Sequence, residues 1–270
     1  MIGPDFFLFV FFGCIIGFLA GLFGVGGGGL IVPLLVFSYE HSGVSPSVLT
    51  HIAMGTSLFV ILFASVTSAY QHGKQGNVHR RAAVVIGGSS ALTGFATAGL
   101  AVHLSGKHLR IAFAALTILI AVRMLTEKAS SDEKRSAAPS EVKLIPLIGI
   151  GLGAGIISAL AGVGGGGVTI PLMYYLLNMP LKLAIGTSSA TMVITALFAV
   201  TGYIVHGVGR PDLLPWSLGF IDLLRGSALV IGSIGTARVG AYVSFKTHAY
   251  TLRKLFAVFL SLVAIYMVVG

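Results

Sequence analysis

An all-α integral membrane protein made of two inverted repeats is the architecture this sequence predicts, and three observations predict it. Of its 270 residues, 56% are hydrophobic and only 9% charged, and the mean hydropathy is +0.97. Soluble domains carry about 25% charged residues. A glycine-rich motif and the motifs that follow it occur twice, in the same order. The lysines and arginines divide between the loops in a way that sets how the apolar segments thread. Each repeat then reads as a glycine-tipped re-entrant helical hairpin followed by three transmembrane helices.

Met1-Ile2-Gly3-Pro4-Asp5 lacks the basic stretch that opens a cleavable signal peptide, so the first apolar run is expected to stay in place. Residues 6–39 and 144–181 contain no Asp, Glu, Lys or Arg. Further apolar segments cover roughly 48–70, 82–102, 110–126, 183–205, 222–243 and 252–269, close to the ~20 residues a span needs. Glu127 to Lys143 is rich in Ser, Ala, Lys, Asp and Glu and reads as a solvated linker. Residues 1–126 are thus a first transmembrane repeat, 127–143 a cytoplasmic charged linker, and 144–270 the second, inverted repeat. The net charge of +9 comes from basic residues in short clusters between apolar runs. That is a membrane distribution, and it excludes a nucleic-acid partner. The single cysteine, Cys14, lies in an apolar run, so no internal disulfide, cysteine-based metal site or cofactor is expected.

The duplication is specific. Gly24-Val25-Gly26-Gly27-Gly28-Gly29 with Pro33 matches Gly162-Val163-Gly164-Gly165-Gly166-Gly167 with Pro171 at an offset of 138. Ala53-Met54-Gly55-Thr56-Ser57 matches Ala184-Ile185-Gly186-Thr187-Ser188 at 131, which places a seven-residue insertion around His41 to Ser47. Asn77 and Asp222, each followed three residues on by Arg80 or Arg225, correspond at 145, and Leu109-Arg110 matches Leu252-Arg253 at 143. Four matches in order are an internal repeat, a common plan among transporters.

Charge decides the parity of the crossings. If the glycine-broken segments cross the bilayer, ten basic residues fall on one side and seven on the other. If they return to their starting side, thirteen fall together and only Lys107, Arg110, Arg210 and Arg225 oppose them. The second split is the one the positive-inside rule expects. It makes the broken segments re-entrant, the N-terminus periplasmic and the two repeats inverted.

Four consecutive glycines cost a helix about 1 kcal/mol each relative to Ala, and irregular backbone at membrane depth survives only inside protein or beside a wet cavity. Leu30-Ile31-Val32-Pro33 and Val168-Thr169-Ile170-Pro171 are expected to open short helices, with proline in the first turn. Each tip then offers free backbone N–H groups and the positive end of a helix dipole, which favours an anion. Close packing of helices through small residues is the other reading of the glycines. The hydroxyls of Thr56, Ser57, Thr187 and Ser188 can donate to an oxyanion or bond back to a helix carbonyl. The candidate binding set is therefore Gly26, Gly27, Gly28, Gly29, Thr56, Ser57, Gly164, Gly165, Gly166, Gly167, Thr187 and Ser188.

All eight acidic residues lie at termini, in loops or at span ends, which argues against a cation site or carboxylate relay. Asp222 and Asn77 read as N-caps. His72 and His206 end the segments carrying the Gly-Thr-Ser motifs; each is either a proton-coupling group or a polar helix end. Trp216 reads as an interfacial anchor.

The doubled glycine hairpins, Ala184-Ile185-Gly186-Thr187-Ser188, His72-Gly73 with Asn77-Val78, and Ser217-Leu218-Gly219-Phe220-Ile221-Asp222 together resemble the TauE/SafE sulfite exporter family. The likeness covers almost the whole chain. Asp222 stands where that family usually has Asn, and the histidine-bearing insertion before the first Gly-Thr-Ser is a second departure. The resemblance implies a carrier of the bacterial inner membrane for small sulfur-containing anions such as sulfite, sulfoacetate and other organosulfonates, usually exporting them. A passive anion channel is the closest alternative. An intramembrane serine enzyme using Ser89 or Ser90 is a remote one, since the chain has no Gly-x-Ser-Gly.

Overall fold

The computed structural model describes residues 4–101, 118, 122, 125–126, 142–210 and 212–269. The expected span 110–126 and the linker 127–143 lie largely outside these. Among the described residues the chain forms nine helices and one two-residue strand pair. They are α1 (Pro4–Phe23), α2 (Gly28–His41), α3 (Pro46–Lys74), α4 (Arg80–Ala101), α5 (Leu144–Ala161), α6 (Gly166–Leu176), α7 (Leu181–Gly207), β1 (Ser217–Leu218), β2 (Ile221–Asp222), α8 (Leu223–Lys246) and α9 (Ala249–Val269). Six of the helices, α1, α3, α4, α5, α7 and α8, are long and apolar enough to cross a membrane. The protein is a multi-pass, all-α membrane protein.

The breaks fall where glycine takes the left-handed conformation. Gly24 ends α1 with φ 66° and Gly162 ends α5 with φ 65°, and their N–H groups donate to Ala20 O and Ser158 O, the bond of a left-handed C-cap. Gly26 and Gly27, and equally Gly164 and Gly165, stay in that region, which is strained for any residue with a Cβ. Helix resumes at Gly28 and Gly166, earlier than the sequence suggests. Pro33 and Pro171 therefore lie inside α2 and α6 rather than in their first turns. Each proline lacks an N–H, so the carbonyl four residues before it, on Gly29 or Gly167, has no helical donor.

Small residues set the packing. On α1, a Cβ on Gly13, Gly17 or Gly21 would lie 2.0–2.4 Å from the carbonyl of Leu229, Ser233 or Ala237 on α8. On α5, Gly151 and Gly155 meet Ile86 O and Ser90 O of α4 at 2.5 and 2.2 Å in the same sense. The first helix of each repeat is thus seated against the fourth helix of the other. α3 and α7, the most buried of the six long helices, run through the centre. α9 lies beside the end of α1, where Phe23 meets Phe256 and Phe259 at 5.6 and 5.2 Å.

Side-chain contacts show which ends lie together. The Arg225 guanidinium at the start of α8 faces both Phe9, near the start of α1, and Tyr39, near the end of α2, at 5.8 and 4.9 Å. The chain therefore leaves that end along α1 and comes back to it along α2. Lys182 Nζ, at the start of α7, donates to Phe245 O beside Lys246, and Arg238 Nε donates to Gln71 Oε1 near Lys74.

The strand pair was not legible in the sequence. Ser217 pairs with Asp222 and Leu218 with Ile221, with Gly219 in the turn at φ 56°. It delivers Asp222 to the head of α8. There the carboxylate accepts from the Leu224 and Arg225 N–H groups, as an N-cap should. Asn77 does not cap α4. His79 does, its Nδ1 accepting from Ala82 N–H at 3.2 Å. The reason is register: α4 begins at Arg80, so residue 79 is the one whose side chain reaches the third helical N–H.

Candidate functional site

The two glycine tips touch. A Cβ on Gly28 would lie 2.4 Å from Val163 Cα and 2.6 Å from Gly162 O, and one on Gly166 would lie 2.6 Å from Val25 Cα and 2.7 Å from Gly24 O. Backbone meets backbone reciprocally, and only glycine allows it. The N-cap positions of α2 and α6 are Gly27 and Gly165, and neither helix start is capped by a side chain. Two helix N-termini therefore lie side by side with their first N–H groups beyond the reach of their own helices. Each carries the partial positive charge of its dipole.

The tips meet α3 and α7 near their middles. Cβ positions at Gly26 and Gly164 fall 2.7 and 2.9 Å from Ile61 Cγ2, and 3.1 and 3.2 Å from Met192 Sδ. Ile61 and Met192 correspond at the offset of 131, one turn beyond Ser57 and Ser188. Sequence reasoning missed both, although extending that offset by one helical turn would have picked them out.

Ser57 Oγ donates to Gly162 O at 2.7 Å, and Ser188 Oγ donates to Gly24 O at 2.9 Å. Each serine thus ties the middle of its own helix to the opposite repeat's tip. The Thr169 hydroxyl joins Ser188 at 2.9 Å. The threonines lie elsewhere: Thr56 Oγ1 accepts from Asp222 N–H at 2.9 Å, and Thr187 Oγ1 accepts from His79 N–H at 3.0 Å. The structure therefore gathers the eight glycines with Ser57 and Ser188. It places Thr56 and Thr187 at the two helix starts that pack on α3 and α7. In this conformation the two serine protons go to glycine carbonyls and hold the tips in place.

His72 is buried, and its Nε2 donates to Gly21 O at 3.2 Å, one turn before the first tip. His206 is exposed, with Nδ1 on Gly202 O of its own helix at 2.8 Å. Asp222, read from sequence only as a cap, is 2% exposed. It pairs with Arg225 at 3.0 Å and accepts from the Tyr39 hydroxyl at 3.2 Å. Arg225 also donates to Ser42 Oγ at 2.8 Å, a residue of the seven-residue insertion. Among the described residues no group of His, Cys, Asp and Glu could hold a metal ion.

Two glycine-broken helix pairs meeting between two long central helices define a class: a polytopic membrane protein with two uncapped helix N-termini paired inside it. The sulfite exporter TauE/SafE family matches residues 9–267, and the chain belongs to that family of membrane transporters. It is 34% identical over 256 residues to a "Probable membrane transporter protein" of Haemophilus influenzae, covering 94% of this chain and 95% of that one. A "Probable membrane transporter protein" of Methanocaldococcus jannaschii is 28% identical, covering 96% and 94%. Bacillus subtilis YdhB, of the same description, is 27% identical, covering 84% and 85%. No solved structure matches the chain.

Proposed function

We propose that this protein is a secondary transporter that exports small sulfur-containing anions, such as sulfite, sulfoacetate or other organosulfonates, across the bacterial inner membrane. The observation that carries the reading is the reciprocal contact of two uncapped helix N-termini at the middles of α3 and α7. Two such termini favour negative charge. The anion binds between the tips, near Gly26–Gly29 and Gly164–Gly167, with Ser57 and Ser188 setting the geometry. The Thr56 and Thr187 hydroxyls and the His72 and His206 imidazoles are secondary candidates for binding and coupling.

The glycine-broken pairs are re-entrant hairpins. The return of α2 to the start of α1 at Arg225 supports this, as does the thirteen-to-four division of basic residues. The repeats are then inverted, with the basic end cytoplasmic and the N-terminus periplasmic. The exchange of partners, α1 on α8 and α5 on α4, suits two halves that rock about the tips in alternating access. An inside-negative potential supplies about 2.3 kcal/mol per charge per 100 mV toward expelling an anion. Export then needs no intramembrane carboxylate.

The test is uptake of radiolabelled sulfite, sulfoacetate and thiosulfate into inside-out vesicles. Saturable uptake with counterflow is expected for at least one of the three, and it should vanish in Gly28→Ala, whose new Cβ collides with Val163 and Gly162. Linear flux without counterflow would make the protein a channel. No uptake of any of the three would overturn the substrate class.

A further inference from the structure

Beyond the tips, α3 and α7 continue in opposite directions, and the two continuations differ in chemistry. Ser65, Ser68, His72 and Gln75 follow Ile61 at spacings of four, three, four and three, so the first three share its face of α3 and Gln75, the C-cap of that helix, follows them. At the offset of 131, their counterparts on α7 are Ala196, Ala199, Tyr203 and His206. One continuation is polar for three turns, and the other carries two alanines and a tyrosine before its last residue.

The polar face is deeply buried, with Ser65, Ser68 and His72 each 1% exposed. Ser68 shares a 3.0 Å hydrogen bond with Ser189 of α7. Ser65 Oγ, His72 Nδ1 and both amide atoms of Gln75 are buried with no hydrogen-bond partner among the described residues. Native structures rarely leave such groups unmatched, and water or a solute commonly supplies what the protein does not. The stripe leads to Lys74, Arg80 and Arg81 in the sequence, and Arg238 joins that end through Gln71. The opposite continuation is tightly closed. Ala196, Ala199 and Tyr203 are fully buried, the Tyr203 hydroxyl donates to Ala159 O at 2.7 Å, and the Phe220 ring stands edge-on to it at 6.3 Å.

We infer that Ser65, Ser68, His72 and Gln75, with Ser189, line the half-pathway that joins the glycine tips to the basic end of the molecule. Its solute is a small oxyanion moving with water. Hydroxyl and amide groups on one face offer donors that replace an anion's hydration without binding it as tightly as a lysine or arginine would, and His72 Nδ1, an acceptor while Nε2 donates to Gly21 O, holds water beside them. The Lys and Arg side chains at the mouth raise the local anion concentration. The stripe is packed shut here and opens when the ends of α3 and α7 part there. Ala196, Ala199 and Tyr203 form the seal of the opposite half. The inference rests on the proposed transport of an anion between the tips, but its test reads water access and not transport.

Single cysteines replace Ser65, Ser68, Ala196 and Ala199 in a Cys14→Ala background. Inside-out vesicles are treated with the anionic, impermeant reagent methanethiosulfonate ethylsulfonate, and each rate is normalised to labelling after denaturation in SDS. Ser65→Cys and Ser68→Cys should react at least tenfold faster than Ala196→Cys and Ala199→Cys, and sulfoacetate should slow them. Sulfite is unsuited as protector because it cleaves the mixed disulfide. Equal rates at all four positions, or faster labelling at 196 and 199, overturn the assignment. Fast labelling at 65 and 68 that sulfoacetate leaves unchanged, together with absent anion uptake, keeps the aqueous half-pathway and removes the anion from it.

Discussion

The starts of α8 and α4 are copies of one another, yet they are built differently. At the start of α8, Asp222 accepts from two backbone N–H groups, from Arg225 and from the Tyr39 hydroxyl. Arg225 reaches across to Ser42 at the end of α2. One carboxylate thus fastens α8 to the end of α2. At the start of α4 the corresponding residue is Asn77. Its Nδ2 has no partner, and the cap is made by His79 alone. Both starts keep one shared contact, a backbone N–H given to the threonine of a Gly-Thr-Ser motif, at Thr56 and at Thr187. The duplication has kept the backbone contact that seats each fourth helix. Among the described residues, a carboxylate cap paired with an arginine is found at the start of α8 and not at the start of α4; toward the basic end the buried Arg253 donates to the Tyr174 hydroxyl near the end of α6. In the proposed alternating access the two ends must not hold equally tightly at the same time, and the two helix starts differ in that sense.

Removing the fastening should have the largest effect. Asp222→Ala deletes the cap and leaves the Arg225 guanidinium, 20% exposed, without its carboxylate. Breaking a fully buried pair costs about 3–5 kcal/mol, and the partial exposure of Arg225 moves the expectation to about 3 kcal/mol. Thermal unfolding in detergent measures it. Asp222→Asn keeps an acceptor for the cap and should recover part of the loss. If Asp222→Ala unfolds at the wild-type temperature, the end of α2 is not held there.

A smaller effect is expected where the copies are alike. Ser57→Ala and Ser188→Ala each take a hydroxyl from a buried glycine carbonyl, at Gly162 and Gly24. The cost of such an orphaned acceptor is about 1–3 kcal/mol. Ser188→Ala should cost more, since Thr169 also loses its partner. Equal losses would mean that Thr169 turns to another acceptor, and Gly166 O at 3.4 Å is within its reach. The same thermal measurement, run on both variants, orders them.

Much of this was legible in the sequence, and the part that was not has one physical character. The order of apolar segments, the glycine breaks and the offsets are local patterns, and periodicity and composition report local structure well. The partners of the serines are 105 and 164 residues away. No spacing rule says that a hydroxyl one helix away from a glycine run will bind the other run's carbonyl. Asp222 shows the same gap. Its cap is a local fact, read correctly, whereas its burial against Tyr39, 183 residues distant, depends on how the halves assemble. The helix starts at Gly28 and Gly166 were misplaced for a related reason. A proline suggests a first turn, but the left-handed glycines at 27 and 165 end the break sooner. The prolines then fall in the second turn.

The smallest expected effect sharpens the comparison most, because it asks whether the first repeat's polar residue, Asn77, holds anything. Asn77 carries an amide whose Nδ2 is buried and unpartnered. Its backbone carbonyl, not its side chain, is what lies against Gly186, 2.0 Å from where a Cβ there would stand. Asn77→Ala removes an unsatisfied donor and keeps that carbonyl in place. Stability should therefore change by no more than about 0.5 kcal/mol, the range of substitutions that disturb no cap, core or pair. Asn77→Asp recreates the chemistry of Asp222 three residues before Arg80. A carboxylate near a helix N-terminus is worth about 0.3–1 kcal/mol, so this variant should unfold at a slightly higher temperature. Transport should report the same change with the opposite sign. An end fastened like the other one parts less readily, so Asn77→Asp should slow turnover in the vesicle assay while Asn77→Ala leaves it near wild type. If Asn77→Ala unfolds as early as Asp222→Ala, the two ends are fastened alike and the asymmetry between them is wrong.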